Sequence, residues 1–189
     1  MLATPFTSTL PFGVAPLSLD HALALIRVVA GLMLAGHGAQ KVLGWFGGYG
    51  PRGVAGWFGS MGIPTPLAFA WLVGLSELVG GICFALGLLT PLAALAITLV
   101  MLGAIFLVHW PHGLWNSKNG FEYPFLLFVI AAAIGLAGPG AYALDPILGI
   151  HLAQPAIYIA GLIIELVGLA VIAALRGQRV AQQGATATS

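Results

Sequence analysis

Three ionisable side chains interrupt long apolar runs in this chain: Arg27, Glu77 and Glu165. Each costs about 2.5–3.5 kcal/mol to place at the centre of a membrane helix, so such residues are functional candidates by default. Arg27 and Glu77 lie on successive apolar segments. At 1.5 Å per residue, Arg27 falls roughly 24 Å and Glu77 roughly 15 Å from the same end of their helices. An extended arginine spans much of that difference, so an intramembrane charge pair between Arg27 and Glu77 is expected. The pair is either a charged centre for chemistry or a clamp between helices, because buried pairs often only fix packing. Glu165 is the rival partner for Arg27.

A second cluster collects at the helix ends. His37 and Lys41 are four apart and share a helix face. His109 closes a later apolar run, and Glu122 and Tyr123 open the next. These are donors and acceptors that can hold a polar head and exchange protons, between walls fit for a greasy tail. A quinone has both needs. The plainer alternatives are a lysine snorkelling to the head groups and a His37 that only hydrogen-bonds a neighbouring helix. Metal is not expected: His109 and His112 are separated by Pro111, which breaks helical spacing, and no HExxH occurs. No P-loop, GxSxG or dinucleotide fingerprint is present either.

The elements that must position these groups are membrane helices. Of 189 residues, 60% are hydrophobic and 6% are charged, with six Lys or Arg and five Asp or Glu. So few charges cannot cover a soluble surface, and lipid is the solvent that fits. A net charge of +1 without a basic run excludes a nucleic-acid surface. The single cysteine, Cys83, rules out an internal disulfide or a CxxC pair and reads as a packing residue. Residues 1–19 carry no Lys or Arg, so they read as a short tail and not as a secretory signal.

Five crossings are predicted, over about 21–43, 66–89, 91–109, 123–136 and 155–175, each judged against the roughly 20 residues a bilayer requires. Pro91 starts the third helix directly after the second, and Gly138-Pro139-Gly140 stops the fourth. Residues 176–189 read as a disordered polar tail. Every Lys and Arg outside the helices falls on one face. The positive-inside rule then puts the N-terminus outside and the C-terminus in the cytoplasm of a multi-pass, bacterial inner-membrane-type protein. Four of the five tryptophans, Trp45, Trp57, Trp110 and Trp115, lie in two Gly-rich loops on that same face. They form either an aromatic belt or the mouth of a pocket, since irregular backbone at membrane depth must be buried or line a cavity.

Three stretches resemble the DoxX family: Arg27…Gly36-His37-Gly38-Ala39-Gln40-Lys41…Gly44-Trp45-Phe46-Gly47-Gly48, then Glu77-Leu78-Val79-Gly80-Gly81…Leu89-Thr90-Pro91, then His109-Trp110…Gly113…Trp115…Asn119-Gly120-Phe121-Glu122-Tyr123-Pro124. The resemblance spans residues 20–145 and implies a four-helix membrane domain. Residues 146–175, with the fifth helix, depart from that pattern. The family includes membrane oxidoreductase subunits and relatives linked to thiosulfate:quinone chemistry, while distant relatives are chaperones or cargo receptors. Its polar signature falls on Arg27, His37, Lys41, Glu77, His109, Asn119, Glu122 and Tyr123.

Two functions follow as expectations. In the first, the chain is a membrane subunit of a quinone-linked oxidoreductase. His37, Lys41, His109 and Glu122 then bind and protonate the quinone head, Trp45, Trp110, Asn119 and Tyr123 complete its pocket, and electrons come from a reductant or partner subunit. In the second, the chain is a non-enzymatic anchor or assembly factor in a homo- or hetero-oligomer, its aromatic loops docking a soluble redox partner. A small transporter is disfavoured, because paired broken helices are not evident.

Overall fold

A computed structural model describes residues 18–187, with side-chain surroundings up to residue 179, and the described chain is all helix and loop. Helix α1 (Leu19–Val42) starts after Ser18, whose amide N–H meets His21 Nδ1 at 3.3 Å. Next comes α2 (Gly50–Ser60), a short helix in the first aromatic loop that the sequence reading left irregular. Its four glycines hide the signal, yet Pro51 sits in its first turn and Val54 and Phe58, four apart, bury one stripe.

Helix α3 (Pro66–Leu86) ends at Gly87 in the left-handed region (φ 64°), followed by Leu89 (φ 48°). Helix α4 (Thr90–Gly103) begins at once, with Pro91 in its first turn as expected. It runs on in wider π geometry over Ala104–His109 and a 3-10 turn over Trp110–His112, so the apolar segment Thr90–His112 is continuous. The cause is Pro111, which has no N–H to give the Leu107 carbonyl one turn back. Arg176 Nη1 supplies that donor instead, at 2.6 Å.

Helix α5 (Glu122–Ala137) is shorter, 16 residues or about 24 Å, and stops at Gly138 (φ 100°). A single turn, α6 (Leu144–Ile147), precedes α7 (Ala156–Ala187). Four helices are long and apolar enough to cross a membrane: α1, α3, the extended α4, and α7 over Ala156–Arg179. With the shorter apolar α5 they make a four-helix membrane bundle plus a fifth helix. One expectation is corrected here. Residues 176–187, read as a disordered tail, continue α7 as helix, since no glycine–proline breaker follows Leu175. The expected tail over residues 1–17 lies outside the described residues.

Packing follows small residues. Helix α1 lies antiparallel on α3, with Gly31 against Gly81 and Ala85, Gly38 against Leu78, and Gly74 against Lys41 and Val42. Without water as a driving force, backbones that approach this closely gain their stability from dispersion. Helix α4 packs between α3 and α5, α5 returns to α1, and α7 leans on α4 from outside. Most of α7 is unpacked, with Ile163, Ile164, Val167 and Val171 exposed, as expected of a face that meets lipid.

Candidate functional site

The α1–α3 register decides which charges meet. Glu77 stands level with Gly38, one turn from Lys41, whereas Arg27 stands level with Ala85 to Gly87. Eight residues of helix, about 12 Å, therefore separate Arg27 from Glu77 along α3. The expected Arg27–Glu77 pair is not formed. Glu77 pairs with Lys41 in a short charge-assisted contact, with 5% and 22% of their side chains exposed. Arg27 instead donates to backbone carbonyls: Nε to Ala85 at 3.3 Å, Nη2 to Tyr142 at 2.5 Å, and Nη1 to Pro139. Its guanidinium passes over Gly87, where a Cβ would collide with it.

Arg27 thus ties the α3–α4 turn to the loop after α5. Asp145 works beside it, accepting the Leu89 and Thr90 amides at 2.7 and 2.9 Å and the Thr90 hydroxyl at 2.6 Å. These are orphan donors of the α4 N-terminus, which a carboxylate caps well. At this end of the bundle Arg27 and Asp145 form a polar clamp in which each is held by several hydrogen bonds.

The opposite end is different. A cavity of about 590 Å³ opens among α1, α3, α4, α5 and α7, with Trp57 and Phe58 of α2 in its wall. Leu34, Phe69, Val73, Val100, Leu107 and Ile172 make most of the surface apolar. Five of the expected site residues converge on it: His37, Lys41, Glu77, His109 and Tyr123. The Tyr123 hydroxyl is fully buried and has no hydrogen-bond partner, a costly state unless something else supplies one. Its ring lies 6.1 Å from that of His37. His37 Nδ1 is 3.2 Å from Gln40 Oε1, and Gln40 Nε2 donates to the Phe46 carbonyl, so the first aromatic loop fixes this histidine.

His109 is fixed by the second loop. Its Nδ1 lies 2.7 Å from the carbonyl oxygen of Asn119, a residue in the left-handed region (φ 59°). Hydrogen bonds from Phe121 to Gly113 and from Glu122 to Leu114 close residues 113–122 into a compact turn. The other expected residues support the pocket without lining it. The Glu122 carboxylate accepts the Asn116 amide at 2.9 Å, and Asn119 acts through its backbone. Trp110 stacks between Phe106 and Phe121 at ring separations of 5.3 and 5.5 Å. Trp45 is 59% exposed and packs edge-on against Phe46.

Sequence reasoning placed Trp57 at this face but missed the helix that carries it, and it did not place Glu165 in the cavity. Trp57 and Phe58 reach the wall through a helix masked by glycines. Glu165, weighed as a rival partner for Arg27, faces the cavity from α7 and lies 2.8 Å from Thr98 Oγ1. Cys83 is a free thiol packed against the core, as expected.

Residues 22–110 match the DoxX family model, a narrower span than the resemblance over residues 20–145. Arg27, His37, Lys41, Glu77 and His109 lie inside it, while Asn119, Glu122, Tyr123 and all of α7 lie beyond. A protein of Bacillus subtilis (strain 168) named "Putative oxidoreductase CatD" is 28% identical over 129 residues, covering 68% of this chain and 88% of that relative. No solved structure matches the chain.

Proposed function

From the premise that residues 22–110 belong to the DoxX family, we propose that this membrane protein binds a quinone in the cavity at the His109 end, as a membrane subunit of a quinone-linked oxidoreductase. The observation that carries the reading is the Tyr123 hydroxyl, buried without a partner in the wall of a mostly apolar cavity. A ligand oxygen is the partner it lacks. The volume suits the reading, since sites for small organic ligands run to about 300–1,000 Å³, mostly apolar with a few convergent polar groups.

The chemistry assigns roles by position. Reduction of a quinone to its hydroquinone takes two electrons and two protons. The electrons come from a reductant or a partner subunit. Lys41–Glu77 and His37 lie where protons can be passed to a ring oxygen, and His109 stands at the mouth, held by Asn119. Glu122 keeps the mouth in shape through Asn116 and is a positioning residue. The apolar walls take the tail and exclude water, which strengthens every polar contact inside.

A second reading keeps its own support. Trp45, Tyr49 and Trp115 are 59%, 86% and 61% exposed on the two loops beside the cavity. Such a rim suits either lipid head groups or a soluble redox partner, with the chain acting only as an anchor. Purification in mild detergent, followed by mass spectrometry of extracted small molecules and co-purifying proteins, separates the readings. Near-stoichiometric quinone is the expected result. A soluble protein held stoichiometrically with no quinone would replace the first reading with the second.

A further inference from the structure

Helix α7 lies outside the family match, yet it closes one side of the cavity with Glu165, Gly168, Leu169 and Ile172. Glu165 is the only acidic residue on this helix. Its Oε2 contacts Thr98 Oγ1 at 2.8 Å, and the Thr98 hydroxyl is also 3.0 Å from the Leu95 carbonyl. A hydroxyl placed so can donate to an ionised carboxylate, or donate to Leu95 and accept from a neutral one. Thr98 therefore holds Glu165 in either protonation state. The other carboxyl oxygen, Oε1, has no hydrogen-bond partner among the described residues.

The depth of Glu165 is informative. On the α3–α4 seam Gly80 faces Ala96, which sets Glu77 level with Leu99, the neighbour of Thr98. Glu77 and Glu165 thus stand at one depth, on α3 and α7, in the wall of a single cavity. Most of the residues that line the cavity around them are apolar. A carboxyl oxygen left facing such a surface is costly unless it finds a hydrogen bond.

We infer that Glu165 is a second polar anchor of the cavity, so that the site selects a ligand with two polar ends over a ligand with one. The inference rests on the quinone reading only for the class of ligand. Lys41–Glu77 holds one ring oxygen, and Glu165 Oε1 meets the other. A neutral carboxyl donates to a quinone carbonyl and an ionised one accepts from a hydroquinone hydroxyl, so the same residue serves both forms.

The test is equilibrium binding by calorimetry on the full chain in mild detergent, with decyl-hydroquinone (two opposed hydroxyls) and 4-decylphenol (one hydroxyl) as probes. Glu165→Leu is expected to weaken hydroquinone binding about tenfold, the worth of one hydrogen bond to a carboxyl group, and to leave phenol binding within about twofold. Lys41→Met is expected to weaken both. Equal losses for both probes in Glu165→Leu would reduce Glu165 to a clamp between α7 and α4, and no loss would remove it from the site. Should the leucine variant not fold, Thr98→Val removes the group that positions Glu165 and is read by the same comparison. Wild-type protein that binds neither probe overturns the quinone reading and this inference together. Wild-type binding with an unselective Glu165→Leu overturns this inference alone.

Discussion

Lys41 on α1 and Glu77 on α3 form an ion pair in the wall of the cavity, and the glycines at positions 38 and 74 let the two helices come close enough to make it. Glu77 is nearly inaccessible, while Lys41 remains partly open to the cavity. The pair is therefore both a link in the bundle and a polar surface that a ligand can touch.

Removing one partner leaves the other charge buried and unpaired. Lys41→Met is expected to cost about 3 kcal/mol, within the range for broken buried pairs. The double variant Lys41→Met with Glu77→Leu is expected to recover most of that loss, because matched apolar groups need no partner. Thermal unfolding in detergent of both singles and the double closes the cycle. A double variant no more stable than Lys41→Met would show that the pair is not what holds these helices.

Tyr123→Phe separates ligand binding from folding. Its hydroxyl has no protein partner, so its loss is expected to leave the melting temperature unchanged or slightly raised. Quinone affinity is expected to fall about tenfold, the worth of one hydrogen bond. A lower melting temperature with unchanged affinity would mean that the hydroxyl serves the fold.

Arg27 belongs to the opposite end and makes the contrary prediction. Its guanidinium serves three carbonyls on two segments, a geometry that one ammonium cannot copy. Arg27→Lys and Arg27→Met are both expected to destabilise the protein by about 2–3 kcal/mol, with quinone affinity unchanged in the folded fraction. Loss of binding in a folded Arg27→Met protein would connect the two ends.

Arg176 and Pro111 are coupled through the Leu107 carbonyl. Arg176→Met removes the donor that replaces the missing proline N–H and is expected to cost about 1–2 kcal/mol. Pro111→Ala restores a backbone donor, so in that background the same change is expected to cost little. Additive losses in the melting temperatures of the two singles and the double would refute this coupling.

The sequence carried the class of the protein unaided. Long apolar runs with few charges can satisfy their backbone in lipid only as helices, so five helices, the proline start of α4 and the glycine–proline stop of α5 were all legible. The polar residues of the site were legible too, since charges and histidines in such runs are scarce enough to stand out. What the sequence could not carry was pairing, because depth along a helix does not specify which helices touch or in what register. Lys41 rather than Arg27 meets Glu77 because Gly31, Gly38, Gly74 and Gly81 set the α1–α3 register. Arg27 satisfies carbonyls that turn out of helical bonding some 58 to 115 residues along the chain. Helix α2 escaped notice because glycine lowers helix propensity, and only the burial of Val54 and Phe58 against the bundle offsets that cost. Glu165 found Thr98 because α7 packs on α4, a choice made by the tertiary fold alone.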